Sequence, residues 1–109
     1  MHELSIAQSI VEMVGERAGD ARVHKLTLVI GRLSGVMPDA LRFCFDICTE
    51  GTVLEGAVLE IIEPSGRGRC PECGGEQEMT SLFDICVCGA TGLDCLAGDE
   101  LRIKQMEMA

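Results

Sequence analysis

Two close pairs of cysteines, Cys70 and Cys73 in CPECGG and Cys86 and Cys88 in CVCG, are separated by twelve residues. Four thiols at that spacing can be drawn around one tetrahedral ion, and Zn²⁺ is the ion such a set suits. Gly74 and Gly89, directly behind each pair, let the backbone turn tightly and aim amides at the sulfurs. The second pair has one intervening residue where two are usual. That spacing narrows the angle between its sulfurs and leaves Cys95 as a substitute ligand; the other reading of Cys95, in GLDCLAG, is a small apolar strand residue. Four thiolates leave no open position for water, so the expected zinc is structural and nothing in this stretch points to an enzyme.

A disulfide framework is the competing reading of seven cysteines. The odd total leaves one unpaired. The N-terminus lacks the basic flank and long apolar run of a secretory signal, which points to the reducing cytoplasm. No apolar stretch reaches membrane-spanning length. Hydrophobic residues make up 47% of the 109 residues, but Trp and Tyr are absent and Phe occurs three times. The core is therefore aliphatic, and a chain this small gains from a further staple such as a metal. A formal charge of −9, from 18 acidic and 9 basic residues, repels phosphate backbones and anionic membranes and argues against nucleic acid as the partner.

The remaining pattern predicts an α+β fold, two helices on a three-stranded sheet, with a zinc-ribbon-like module inserted before the last strand. Ile6, Ala7, Ile10, Val11, Met13, Val14 and Ala18 fall at helical spacing, and Gly19-Asp20 ends that helix. VHKLTLVIGRLSG reads as a strand with Leu26, Leu28 and Ile30 on one face and Lys25 and Thr27 on the wet one. MPDALRFCFDICTEG reads as a second helix whose buried stripe is Leu41, Cys44, Phe45 and Cys48. Cys44 and Cys48 are read there as small hydrophobes rather than a metal clamp. AVLEIIE and ELRIKQMEM are the other strands. Residues 1–66 with 99–109 form the main domain. Residues 67–98, rich in glycine and cysteine, form the inserted module, which is too small to bury a core of its own.

The chain opens MHELS. The terminal amine of Met1, the amide nitrogen of His2 and its imidazole Nδ1 can close a five- and a six-membered chelate ring in one plane. Deprotonated amides suit only metals that favour planar nitrogen fields, Ni²⁺ and Cu²⁺. Glu3 can add its backbone nitrogen or a carboxylate oxygen. The plain alternative has His2 as a solvated helix-start residue and Glu3 as a first-turn acid favoured by the helix dipole. His24, the other histidine, begins a strand and reads as structural.

Terminal MHE, then GRLSGVMPDALRFCFD, CPECGG with CVCG, and GDELRIKQMEM occur in that order over nearly the whole chain. Together they resemble the HypA/HybF family of hydrogenase-maturation nickel metallochaperones. The resemblance implies a nickel site at Met1, His2 and Glu3 and a zinc site at Cys70, Cys73, Cys86 and Cys88. The family usually has two spacer residues in the second pair, which places Cys86 outside the usual pattern. An acidic ligand found in some relatives has no assigned counterpart; Asp39 is nearby. The resemblance also implies the nickel-handling GTPase HypB and the [NiFe]-hydrogenase large-subunit precursor as partners, with urease served by some relatives. A homodimer is compatible with it. Two other functions compete: a zinc-ribbon protein-interaction module without nickel transfer, and a thiol redox enzyme using one cysteine pair.

Overall fold

The computed structural model describes residues 2–108. Helix α1 (Glu3–Ala18) starts behind His2, whose extended backbone (φ −109°, ψ 101°) makes it the N-cap. Ala7, Ile10, Val14 and Ala18 are its buried residues. Met13, expected on the same stripe, is exposed, because it is turned about 100° around the helix from Val14. Gly19 closes the helix at φ 60° and donates its N–H to the Gly15 carbonyl at 3.0 Å, a conformation open to glycine at no steric cost.

Strand β1 (Val23–Ile30) is the middle of a three-stranded sheet, flanked by β2 (Val58–Ile62) and β6 (Leu101–Met108). Leu26, Leu28 and Ile30 are buried, as expected. Thr27 is not on a wet face; it is buried as well. Its hydroxyl donates to Glu60 Oε1 at 3.3 Å, and Lys25 pairs with Glu60 Oε2 at 3.6 Å. The Glu60 side chain thus lies beside Thr27 and satisfies its hydroxyl, as burial of a polar group requires.

Helix α2 (Pro38–Cys48) begins with proline at its first turn, where the missing N–H costs nothing. Leu41 and Phe45 are fully buried and make its core contact, each contributing about 1.5–3 kcal/mol by burial. Cys44 and Cys48 are only half-buried, so the buried stripe is narrower than the spacing predicts. Among the described residues, no helix is long and apolar enough to cross a membrane.

The chain divides into two compact units. One runs through Leu28, resumes over Val36–Ile61 and takes in the strand from Arg102; the other comprises Val29–Gly35 and Ile62–Leu101. The second unit contains three further strands, β3 (Gly66–Arg69), β4 (Glu76–Met79) and β5 (Asp94–Ala97), in the order β4-β3-β5, both pairs antiparallel. It also has a core. Cys70, Met79, Cys86 and Leu93 are buried together, with Leu33 and Ala90 packed against them. The expectation that this stretch is too small to bury a core of its own is corrected here. The strand GRGR places glycines where apolar side chains would normally signal burial, and Gly66 and Gly68 are buried. The Met79 thioether occupies the space a Gly68 Cβ would need.

Gly31 sits against the backbone of Gly98, and a Cβ there would overlap the Gly98 carbonyl. The contact is fixed by Leu33 N–H donating to Gly98 O at 2.6 Å and Gly31 N–H donating to Glu100 O at 2.8 Å. Gly31→Ala is therefore expected to cost about 1–3 kcal/mol. Gly15→Ala has open space around it within α1 and should gain about 0.5–1 kcal/mol. Chemical denaturation of the two variants beside the parent checks both signs.

Candidate metal centre

Strand β3 delivers Cys70 at its end, and the turn that follows brings round Cys73. Gly74 N–H donates to Cys70 O at 3.0 Å and Cys70 N–H to Gly75 O at 2.8 Å, with Gly74 at φ 73°. The second turn repeats this pattern one residue shorter. Gly89 N–H donates to Cys86 O at 2.8 Å and Cys86 N–H to Ala90 O at 2.9 Å, with Gly89 at φ 94°. The missing spacer of CVCG is absorbed by tightening the turn, and Cys86 and Cys88 still face the first pair.

The four sulfurs of Cys70, Cys73, Cys86 and Cys88 lie within 4.8 Å of one another. Cys70 Sγ is 3.7 Å from Cys88 Sγ, and Cys73 Sγ is 3.6 Å from Cys86 Sγ. Sulfurs placed about 2.3 Å from a tetrahedral zinc stand about 3.8 Å apart, so the donor set fits that ion. Backbone amides already point at three of the sulfurs. Glu72 and Cys73 N–H approach Cys70 Sγ at 3.4 Å each, Gly75 N–H approaches Cys73 Sγ at 3.4 Å, and Cys88 N–H approaches Cys86 Sγ at 3.5 Å. Such donors spread the negative charge of a thiolate cluster. Cys70 and Cys86 are buried, while Cys73 and Cys88 face solvent.

Without a cation the two buried thiols are driven in opposite directions. The Cys73 amide, against the cost of burial and with help from the Glu72 amide and the neighbouring sulfurs, draws the Cys70 thiol down to about 7. At Cys86 the Cys88 amide pulls down, but burial and the sulfurs of Cys88, Cys73 and Cys70 outweigh it and push the thiol up to about 12. A divalent ion would remove that repulsion and release the retained protons.

Cys95 stands apart from this group on β5, its thiol directed to the Ala97 carbonyl at 3.4 Å. Burial first, then the charge of Asp99, raises its pKa. Burial, with Cys44 beside it, likewise raises that of Cys48.

At the other site, Met1 lies outside the described residues. His2 is exposed and caps α1, whose first ladder bond runs from Ile6 N–H to the His2 carbonyl at 3.2 Å. The amides of the opening residues are therefore left over from the helix. Glu3 is half-buried, and its Oε2 accepts the Met37 N–H at 3.1 Å. That bond, and then one from its own backbone, hold the Glu3 carboxyl below the usual range. Nothing in the sequence signals this link across 34 residues. Asp39 is exposed in the first turn of α2, and His24 is exposed on β1.

Residues 1–108 of the sequence match the family model of HypA, "Hydrogenase/urease nickel incorporation, metallochaperone". The chain belongs to the HypA family. Among similar proteins, the "Hydrogenase maturation factor HypA" of Nostoc punctiforme is 56% identical over 108 residues, covering 99% of this chain and 96% of the relative. The protein of the same name from Geobacter metallireducens is 51% identical, with 99% of each covered. A solved structure, "Solution structure of the Ni metallochaperone HypA from Helicobacter pylori", superimposes with a TM-score of 0.69 at 22% identity, covering 99% of this chain and 97% of that one. At that identity the likeness speaks for the HypA fold. The HypA family is one of nickel metallochaperones, and a four-cysteine site in this member is in keeping with zinc.

Proposed function

We propose that this chain binds Ni²⁺ through Met1, His2 and Glu3 and delivers it to a [NiFe]-hydrogenase precursor, with Zn²⁺ held by Cys70, Cys73, Cys86 and Cys88 as a structural ion. The observation that carries the reading is the position of His2. Its imidazole is exposed at the N-cap of α1, and the amides beside it are not consumed by the helical ladder. The positive end of the helix dipole favours the anionic form of an amide that has lost its proton to a metal. A site at a chain terminus suits a carrier, since ligands can be exchanged one at a time without opening a core.

Zinc, when bound, supplies only charge neutralisation and a cross-link between the two cysteine turns. Residues 67–98 serve as its module, and the remainder as the nickel-bearing domain. Nucleotide-dependent steps fall to the GTPase partner HypB, and the cytoplasm is the compartment proposed. The second reading, a zinc-bearing interaction module without nickel transfer, draws on the apolar side chains of Phe83 and Val87, 91% and 94% exposed. X-ray absorption of the nickel-loaded protein separates the two. Nitrogen and oxygen donors with imidazole scattering are expected; nickel held wholly by sulfur contradicts the carrier reading.

A further inference from the structure

We infer that Glu3 is a positioning residue for the terminal nickel site, its carboxylate tying the start of α1 to the start of α2 rather than serving as a ligand. The inference rests on the nickel reading above and deepens it. Met37 is the N-cap of α2 and makes no side-chain cap, and Pro38 follows it. A helix commonly satisfies its N-cap N–H with a Glu or Gln three residues on, the reciprocal half of a capping box. In α2 that position is Ala40, which has no acceptor. Glu3 supplies the missing acceptor from another helix, through Oε2 at 3.1 Å from the Met37 nitrogen.

Both helices present their N-termini to this carboxylate, one from its own first turn and one through Met37. Each carries partial positive charge there. The arrangement fixes the Glu3 side chain, and with it the backbone at residues 2 and 3, where the chelate is built. It also commits Oε2 to the Met37 amide. With the carboxylate held there, residue 3 meets the metal through its backbone nitrogen, and the site presents a nitrogen field. Such a field favours planar Ni²⁺ over ions that prefer oxygen or tetrahedral ligation.

The test compares Glu3→Gln and Glu3→Ala with the parent, as full-length untagged protein. Nickel titration, the visible absorption of the bound ion, and hydrogen exchange at the Met37 amide without metal are the readouts. A glutamine oxygen can accept the same bond. Glu3→Gln is expected to bind nickel within about twofold of the parent, with unchanged absorption and a protected Met37 amide. Glu3→Ala is expected to expose that amide and weaken nickel binding about five- to tenfold, again with unchanged absorption. If Glu3→Gln weakens as much as Glu3→Ala and shifts the absorption, the carboxylate is a ligand and the inference is wrong. Unchanged nickel affinity in Glu3→Ala overturns it as well. A parent spectrum dominated by sulfur instead contradicts the underlying nickel reading, whatever the Glu3 variants do.

Discussion

Cys86→Ala is expected to abolish tight zinc binding and to melt the unit formed by Val29–Gly35 and Ile62–Leu101. Its buried cluster is Cys70, Met79, Cys86 and Leu93, and two of these, Cys70 and Cys86, belong to the sulfur group. The rest of the packing, Met79 and Leu93 with Leu33 and Ala90, is too small to hold three short strands without a cross-link. Structural zinc in small modules contributes on the order of 10 kcal/mol, which is more than these side chains can replace. Amide exchange over residues 62–101 should collapse in the variant while the Leu41 and Phe45 core of the other unit stays protected. The same loss is expected on chelation of the parent. Acid should act in the same direction. Bound zinc holds its thiolates ionised far below their metal-free range, so the stabilisation is present at high pH and lost as pH falls. With Cys86 about 12 and Cys70 about 7 when metal-free, zinc binding must displace protons from the thiols, so zinc affinity should fall as pH falls through neutrality and more steeply once Cys70 also protonates, below about 7. A module that keeps its exchange protection after complete zinc removal contradicts this account.

Much of this architecture could be read from residue spacing. Ala7, Ile10 and Val14 show the 3.6-residue period, and Leu26, Leu28 and Ile30 show the strand. What spacing could not show has physical causes. Thr27 looked solvent-facing because alternation assumes one wet face, whereas β1 is the middle strand and Glu60 reaches the threonine. Strand β5 was legible in the reading of Cys95 as a strand residue, but β3 was hidden because Gly66 and Gly68 stand at its buried positions, and the apolar matter comes from Met79 on the neighbouring strand. The four cysteines were visible as two pairs, but the device that accommodates the short one is a hydrogen-bond pattern, Cys86 to Ala90 in place of Cys70 to Gly75. His2 stood out by its place in the sequence. The bond between Glu3 and Met37 did not, since it depends on how two helices pack.

His2→Ala is expected to reduce nickel affinity by about a hundredfold or more, because it removes the imidazole and with it the six-membered chelate ring. The side chain is exposed at the N-cap, so stability should change by less than about 0.5 kcal/mol. Zinc content should be unchanged, since Cys70, Cys73, Cys86 and Cys88 form a separate group. Parallel measurement of nickel affinity, zinc stoichiometry and thermal midpoint therefore separates loss of a ligand from loss of the fold.

The most direct measurement keeps every side chain and moves only the amine. The untagged protein and a form with one glycine added before Met1 are titrated with Ni²⁺ under the same conditions. The account predicts that the extended form loses nickel affinity about as severely as His2→Ala, with zinc retained, because the terminal nitrogen no longer closes the five-membered ring with the His2 amide. Equal nickel affinity in the two forms would contradict a site built on the start of the chain.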